Sequence, residues 1–135
     1  MKIQNCTVWI TGASSGIGEA LAHALSDRGA RLVLSARRAE ELERVRSACT
    51  DPNRHIVTPL DLSDTDTLHA AVEDVHDRMG PVDIMIHNGG ISQRSLVQHT
   101  NLSVDRRIME VNYFGAVTLT KRVLPSMVDR GQGHF

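Results

Sequence analysis

The feature of this sequence that most constrains its fold is a glycine-rich turn between a buried strand and an amphipathic helix. The run Cys6–Ile10 is apolar and β-branched, which predicts a strand covered on both faces. Apolar residues then recur at helical spacing across Ile17–Leu25, and Gly29 is a helix stop signal. The turn between them, Thr11–Gly18, has the glycine spacing G-x-x-x-G-x-G. This order is typical of the first unit of a parallel α/β sheet.

Strand and helix patterns keep alternating along the rest of the chain. Further strands are predicted at Arg31–Ser35, His55–Val57 and Val82–Ile86. Apolar helical stripes follow these strands, over Leu42–Cys49, over Leu68–Met79 with Asp64 as N-cap, and over a long helix from about Ser103 to Arg130. Pro125 is expected to bend or end that long helix. The alternation predicts an α/β fold with a doubly wound parallel sheet, right-handed crossovers and helices on both faces.

The composition and charge of the chain argue against several classes of function. The hydrophobic fraction of 41% and charged fraction of 23% are ordinary for a globular chain, and 135 residues predict one domain over 1–135. No apolar run approaches the ~20 residues of a membrane span, and a net charge of −1 gives no basic surface for nucleic acid. The His and Cys residues lack metal-ligand spacing, so no metal is expected. The polar start Met1–Asn5 is not a signal peptide, and we expect a cytoplasmic protein.

Residues suited to binding a ligand follow the carboxyl ends of the strands, where a doubly wound sheet opens its crevice. In the glycine turn, Gly12 permits a tight bend, Gly16 lets a pyrophosphate approach the backbone, and Gly18 lets the helix pack on the strand. The following helix N-terminus adds free N–H groups for phosphates. The candidate cofactor-binding residues at these strand ends are Gly12, Ser14, Ser15, Gly16, Ile17, Gly18, Arg37, Arg38, Asp61, Leu62, Asn88, Gly89 and Gly90.

With these motifs the chain resembles the short-chain dehydrogenase/reductase (SDR) family, whose fold is Rossmann-type. Thr11–Gly18 matches the family's cofactor motif at every defined position, and the resemblance covers the whole chain in order. It implies that Asp61, followed by Leu62, is the acidic residue that contacts the adenine. It also implies that Asn112 is the helix asparagine of the family's catalytic tetrad.

The segment after the fourth strand departs from the family at two positions. His87-Asn88-Gly89-Gly90 lies where the family has N-N-A-G, so His87 replaces the first asparagine and Gly89 replaces alanine. Gly89 should be harmless beside a ligand. His87 puts in doubt the hydrogen bond that the first asparagine makes, and we do not assign it a catalytic role.

The end of the second strand indicates which nicotinamide cofactor is bound. An acidic residue there would hold the 2′-hydroxyl of NAD and repel a 2′-phosphate. The sequence has Ala36 at this position, followed by Arg37 and Arg38. A guanidinium is a planar, permanently charged fork that suits phosphate. We therefore predict NADP(H) as the cofactor rather than NAD(H).

The tyrosine and lysine that the resemblance implies for catalysis are absent from these residues. The single tyrosine, Tyr113, is followed four residues later by Val117, so no YxxxK occurs. The chain stops at Gly133–Phe135, where a fifth strand should begin. We therefore expect the N-terminal part of a longer single-domain SDR, with a sheet incomplete on its C-terminal side. The 135 residues alone are expected to be inactive.

Two functions of different classes remain open at this point. The first is an NADP(H)-dependent oxidoreductase that transfers hydride between nicotinamide and a carbonyl or secondary alcohol carbon. The second is a non-catalytic NADP(H)-binding module, which would bind NADPH but reduce no carbonyl. For the first, the resemblance implies a small-molecule carbonyl or alcohol substrate and a homo-oligomer formed through the long helix near residues 103–130.

Overall fold

A computed structural model describes residues 2–135 and shows a single parallel sheet with helices on both faces. The strands are β1 (Thr7–Thr11), β2 (Arg31–Ser35), β3 (Ile56–Val57) and β4 (Ile84–Ile86). The α-helices are α1 (Gly16–Ser26), α2 (Ala39–Ala48), α3 (Thr65–Met79), α4 (Leu102–Met109) and α5 (Ala116–Asp129). Short 3₁₀ turns lie at Pro52–Arg54 and Val97–His99, and a π-helical turn lies at Glu110–Gly115. The predicted α/β fold is confirmed.

The strand order is β3-β2-β1-β4, and every pair is parallel. All five residues of β1 are buried, which is why its sequence is a continuous apolar run rather than an alternating one. Successive side chains point to opposite faces. Trp9 packs in the cluster beneath α3 and α5, whereas Val8 and Ile10 pack in the cluster beneath α1 and α2.

A buried chain of hydrogen bonds links the inner strands to the segment after β3. The Trp9 indole N–H donates to Ser35 Oγ at 2.8 Å, and the Ser35 hydroxyl donates to the Thr58 carbonyl oxygen at 2.7 Å. Trp9 and Ser35 are fully buried, so each polar group has a partner where water cannot reach it. Trp9 is therefore a core residue, as its place in the first strand predicts.

The long helix of the sequence prediction is three consecutive helical pieces. It starts one residue earlier than predicted, because the Asn101 side chain caps α4 by accepting the Ser103 N–H. The π-helical turn then separates α4 from α5, and α5 continues past Pro125 to Asp129. Of the bend or end expected at Pro125, the end does not occur, and the helix stops within one residue of the expected Arg130. Gly115, at the end of the π turn, lies so close to Leu62 that an added Cβ would be 2.4 Å from the Leu62 carbonyl oxygen.

A charged cluster around Asp83 lies at the amino ends of β1 and β4. Asp83 Oδ2 accepts the Thr7 N–H at 2.9 Å, and Asp83 Oδ1 accepts from Arg130 at 2.6 Å. Arg130 also donates to the Val82 carbonyl oxygen at 2.6 Å. The start of β1, the start of β4 and the end of α5 are thereby tied together. Beside them His134 forms a parallel bridge with Ile84.

Candidate functional site

A cleft of about 710 Å³ lies at the carboxyl edge of the sheet, within the volume range of small-molecule sites. β1 has β2 on one side and β4 on the other, so the loops after these strands diverge and leave a crevice. The predicted cofactor-binding residues that line it are Gly12, Ser14, Ser15, Ile17, Arg37, Arg38, Asp61, Leu62, Asn88, Gly89 and Gly90. Gly16, Gly18 and Asn112 do not line it. The structure thus brings four separate sequence motifs to one cleft.

The glycine turn packs directly on the loop after β4. Gly12 has φ +66°, and an added Cβ would be 2.8 Å from Gly89 Cα. Gly18 lies in the first turn of α1, where an added Cβ would be 2.2 Å from the Gly12 carbonyl oxygen. Gly16, by contrast, has φ +57° with open space around it. Close packing therefore requires glycine at positions 12 and 18, and backbone conformation requires it at position 16.

The N-terminus of α1 opens into the cleft. Ser15 is the residue before α1, and within the described residues its side chain makes no capping hydrogen bond to the helix. Ile17, in the first turn of α1, exposes 73% of its surface. The first-turn N–H groups and the Ser15 hydroxyl are therefore available to an anionic ligand.

Arg37 and Arg38 line the cleft at the end of β2, and among residues 2–135 neither forms an ion pair. Glu41, an acid in the first turn of α2, is bonded to Arg44 instead, at 2.9 Å. Arg44 also holds Glu19 of α1 at 2.7 Å. Two unpaired cations beside a helix N-terminus are unfavourable, so this end of the cleft favours a bound anion.

Asp61 stays ionised at the same end of the cleft. Its carboxylate accepts the Ser63 hydroxyl at 2.7 Å and the Ser63 N–H at 2.9 Å. These bonds, the hydroxyl first, lower the pKa of Asp61, and the positive charges of Arg37 and Arg107 lower it further. An ionised carboxylate is a hydrogen-bond acceptor for an amino group such as that of adenine.

Asn88 links the end of β4 to the glycine turn by hydrogen bonds. Its side-chain amide donates to the carbonyl oxygens of Thr11, at 3.1 Å, and Gly12, at 3.2 Å. In return, the N–H groups of Asn88 and Gly89 donate to Thr11 Oγ1. An added Cβ on Gly89 would be 2.7 Å from Leu62 Cδ1, so glycine at this family alanine position lets Leu62 approach the loop.

Asn112 connects the π-helical turn to the segment after β4. Its Oδ1 accepts the Ile91 N–H at 2.8 Å, and its Nδ2 donates to the Ile91 carbonyl oxygen at 2.9 Å. The Asn112 side-chain amide thus pairs with the Ile91 backbone as a neighbouring strand would. Both polar groups of Asn112 are engaged by a residue 21 positions earlier in the sequence. The catalytic role that the resemblance implies for Asn112 stays a prediction.

His87 points away from the cleft, toward α5 and the last residues of the chain. Its Nε2 lies 2.9 Å from Thr120 Oγ1, and its ring stacks on Phe135 with centroids 6.0 Å apart. Burial lowers the pKa of His87, which favours the neutral imidazole. The histidine therefore supports packing rather than the ligand site.

Seven residues outside the predicted cofactor-binding set also line the cleft: Thr11, Ser35, Ala36, Leu60, Ile91, Arg107 and Val111. Arg107 and Val111 come from α4 and the π turn, and Ile91 follows Gly90. The available signal was the four-residue spacing of Arg107 and Val111, which puts both side chains on one helix face. Over residues 2–135, no group of three or more His, Cys, Asp or Glu side chains could hold a metal, and no helix is long and apolar enough to cross a membrane.

Similar proteins agree with this geometry. The sequence model of short chain dehydrogenase matches residues 6–135. Dehydrogenase/reductase SDR family member 7 of Mus musculus is 51% identical over 98% of this chain, and a Dehydrogenase/reductase SDR family protein 7-like of Drosophila melanogaster is 50% identical over 95%. This chain spans 40% and 41% of the lengths of those two relatives.

Solved structures have the same fold. A short-chain dehydrogenase from Streptomyces avermitilis superposes with a TM-score of 0.90 at 34% identity, covering 98% of this chain and 48% of that one. A metagenomic short-chain oxidoreductase in complex with NADP gives a TM-score of 0.92 at 27% identity, covering 99% of this chain and 62% of that one. The family match, the relatives and the shared fold agree, and this chain belongs to the short-chain dehydrogenase family.

Proposed function

We propose that the complete protein is an NADP(H)-dependent oxidoreductase and that residues 1–135 are the first part of its single Rossmann-type domain. The glycine turn Gly12–Gly18 and the α1 N-terminus bind the pyrophosphate. Arg37 and Arg38 bind the 2′-phosphate, Asp61 accepts from the adenine, and Asn88–Gly90 line the ribose and nicotinamide side. When bound, the nicotinamide supplies or accepts the hydride.

The observation that carries this proposal is the pair of unpaired arginines at the end of β2. Ala36 lies where an acidic residue would repel a 2′-phosphate, and Arg37 and Arg38 line the same cleft as the glycine turn. Two structures with this fold, a metagenomic short-chain oxidoreductase and a gluconate 5-dehydrogenase from Burkholderia cenocepacia, are complexes with NADP. The fit of the residues and the fold both support NADP(H).

The reaction proposed for the complete protein is hydride transfer between nicotinamide and a carbonyl or secondary alcohol carbon. Proton transfer in this family uses a tyrosine, a lysine and a serine, and residues 1–135 contain no YxxxK. We propose that these residues bind cofactor without turning over a substrate. Asn112 contributes by holding the segment at Ile91 beside the cleft.

Charge reversal at Arg37 tests the cofactor assignment. Dissociation constants for NADPH and NADH are measured by titration calorimetry with the wild-type protein and the Arg37→Asp variant. We expect NADPH to weaken at least ~100-fold and NADH to weaken far less, because the lost pair is with the 2′-phosphate alone. The matched control is Arg28→Asp, which follows the far end of α1. Equal losses for both cofactors would show that Arg37 does not contact the 2′-phosphate.

A non-catalytic NADP(H)-binding module is the second candidate, because Asn112 is the one tetrad residue found in these residues. The complete protein is therefore assayed for NADPH oxidation with a panel of ketones, aldehydes and secondary alcohols. Tight NADPH binding without turnover of any panel member would favour this second candidate.

We also propose a homo-oligomer formed through the α4–α5 segment. Leu124 and Val128 lie one turn apart on α5 and are 41% and 66% exposed, so together they form an exposed apolar patch. Light scattering after size exclusion should show an oligomer that Leu124→Glu dissociates.

The expected cytoplasmic location stays a prediction, which cell fractionation tests.

A further inference from the structure

Arg107 lines the cleft, although it belongs to none of the four motifs that meet there. It lies in the last turn of α4, four residues before the buried Val111, which also lines the cleft. Residues at this spacing share a helix face, so α4 presents Arg107 to the cleft. Its sequence neighbour Arg106 does not line the cleft.

The guanidinium of Arg107 is available to a ligand. The side chain is exposed, and within residues 2–135 it forms no ion pair. Some arginines away from the cleft are paired, since Arg44 and Arg130 each hold a carboxylate within 2.7 Å. An unpaired, exposed arginine at the rim of a cleft costs little to desolvate against a flat ligand surface.

The helical segment that carries Arg107 packs beside Asp61, the residue proposed to hold the adenine. Gly115 of this segment lies against Leu62, the residue after Asp61, where an added Cβ would be 2.4 Å from the Leu62 carbonyl oxygen. Val111 packs in the same core cluster as Leu62. Arg107 and Asp61 line the same cleft, and the positive charge of Arg107 contributes to lowering the pKa of Asp61. The proposed 2′-phosphate site lies with Arg37 and Arg38 at the end of β2, so Arg107 lines the cleft next to the proposed adenine site.

We propose that Arg107 stacks its guanidinium on the adenine ring and closes the adenine site from the α4 side. A planar guanidinium stacks well on aromatic faces, whereas a lysine ammonium does not. This inference rests on the proposed function, in which the cleft holds a nicotinamide dinucleotide. Because NADP(H) and NAD(H) have the same adenine, Arg107 strengthens both equally, and Arg37 determines which is preferred.

The test compares Arg107→Ala, Arg107→Lys and the control Arg106→Ala in the complete protein. Dissociation constants for NADPH and NADH are measured by titration calorimetry, and circular dichroism confirms that each variant is folded. We expect Arg107→Ala to weaken both cofactors by a similar factor of about five, the factor that ~1 kcal/mol represents. Arg107→Lys should restore little of this loss, and Arg106→Ala should bind as wild type does.

Several results would overturn the inference. A loss confined to NADPH would mean that Arg107 contacts the 2′-phosphate, and full recovery by lysine would mean that charge alone is sufficient. Unchanged binding in Arg107→Ala would mean that no contact exists. A wild-type protein that binds both cofactors equally refutes the assignment of Arg37 but leaves the Arg107 comparison intact. A wild-type protein that binds neither refutes both proposals.

Discussion

The close packing of the glycine turn is best tested by the substitution Gly18→Ala. Gly18 has no positive φ and lies within α1, so alanine is conformationally acceptable there and is the better helix former by ~1 kcal/mol. Any destabilisation must therefore come from contacts. The new Cβ would lie 2.2 Å from the Gly12 carbonyl oxygen and 2.7 Å from Asn88 Nδ2.

The geometry sets the size of the effect. A carbon and an oxygen in van der Waals contact are about 3.4 Å apart. The α1 helix and the glycine turn must therefore separate by roughly 1 Å to accommodate the new Cβ. Overpacking against backbone costs ~1–3 kcal/mol, and this shift also strains the bond that Asn88 donates to the Gly12 carbonyl oxygen, worth about 1 kcal/mol. After the gain in helix propensity, we expect the free energy of unfolding to fall by ~1–3 kcal/mol. Urea unfolding followed by circular dichroism measures it.

The matched control is Gly16→Ala, which has the opposite properties. Gly16 has φ +57° but no atom within 4 Å of an added Cβ. Its alanine variant should lose about 1 kcal/mol, because the left-handed conformation costs ~1–2 kcal/mol and the unfolded chain becomes less flexible. If Gly16→Ala were the more destabilising of the two, conformational freedom rather than close packing would determine the glycine pattern.

Two further predictions concern the rest of the sheet. Asp83→Ala should lower the free energy of unfolding by ~3 kcal/mol, because it removes the acceptor of the Thr7 N–H and the partner of Arg130, both part-buried. His55→Gln should flatten the pH dependence of stability below about pH 6.5. Burial lowers the pKa of His55, whose Nδ1 accepts the Leu32 N–H, so its contribution is complete above the unfolded value of 6.5 and is lost as the pH falls.

Each of these predictions has a control. Asp74→Ala removes an exposed pair with Arg78 one helical turn away, and it should cost no more than ~0.5 kcal/mol. A similar loss in the Asp74 and Asp83 variants would mean that the Asp83 cluster contributes no more than an exposed ion pair. For His55, urea unfolding is repeated at several pH values between about 7 and 5. An unchanged slope in His55→Gln would assign the pH dependence to other groups.

The sheet and most helix positions were predictable from the sequence because their signals are local. The run at β1 reads as a buried strand, and Asp64 does cap α3 by accepting the Thr67 N–H. The cleft was predictable for a related reason, since parallel strands bring their carboxyl ends to one edge. Four motifs far apart in sequence therefore had to meet there.

The features that could not be predicted depend on contacts between distant residues. The π-helical turn coincides with two such contacts, the approach of Gly115 to Leu62 and the paired hydrogen bonds between Asn112 and Ile91. Nothing in the apolar spacing of the long helix indicates either contact. The sequence shows Arg107 only as the second of two adjacent arginines that could hold a phosphate, and no local signal places it in the cleft.

Trp9 is an intrinsic fluorescence probe of this protein. It is the single tryptophan of these 135 residues, it is fully buried, and its indole N–H is bonded to Ser35 on the neighbouring strand. Its fluorescence therefore reports one site in the centre of the sheet, and solvent entry there shifts the emission to longer wavelength. The same strand leads directly into the glycine turn, so we expect a ligand that enters the cleft to change this emission as well. One emission spectrum should thus follow both loss of the sheet and occupation of the cleft.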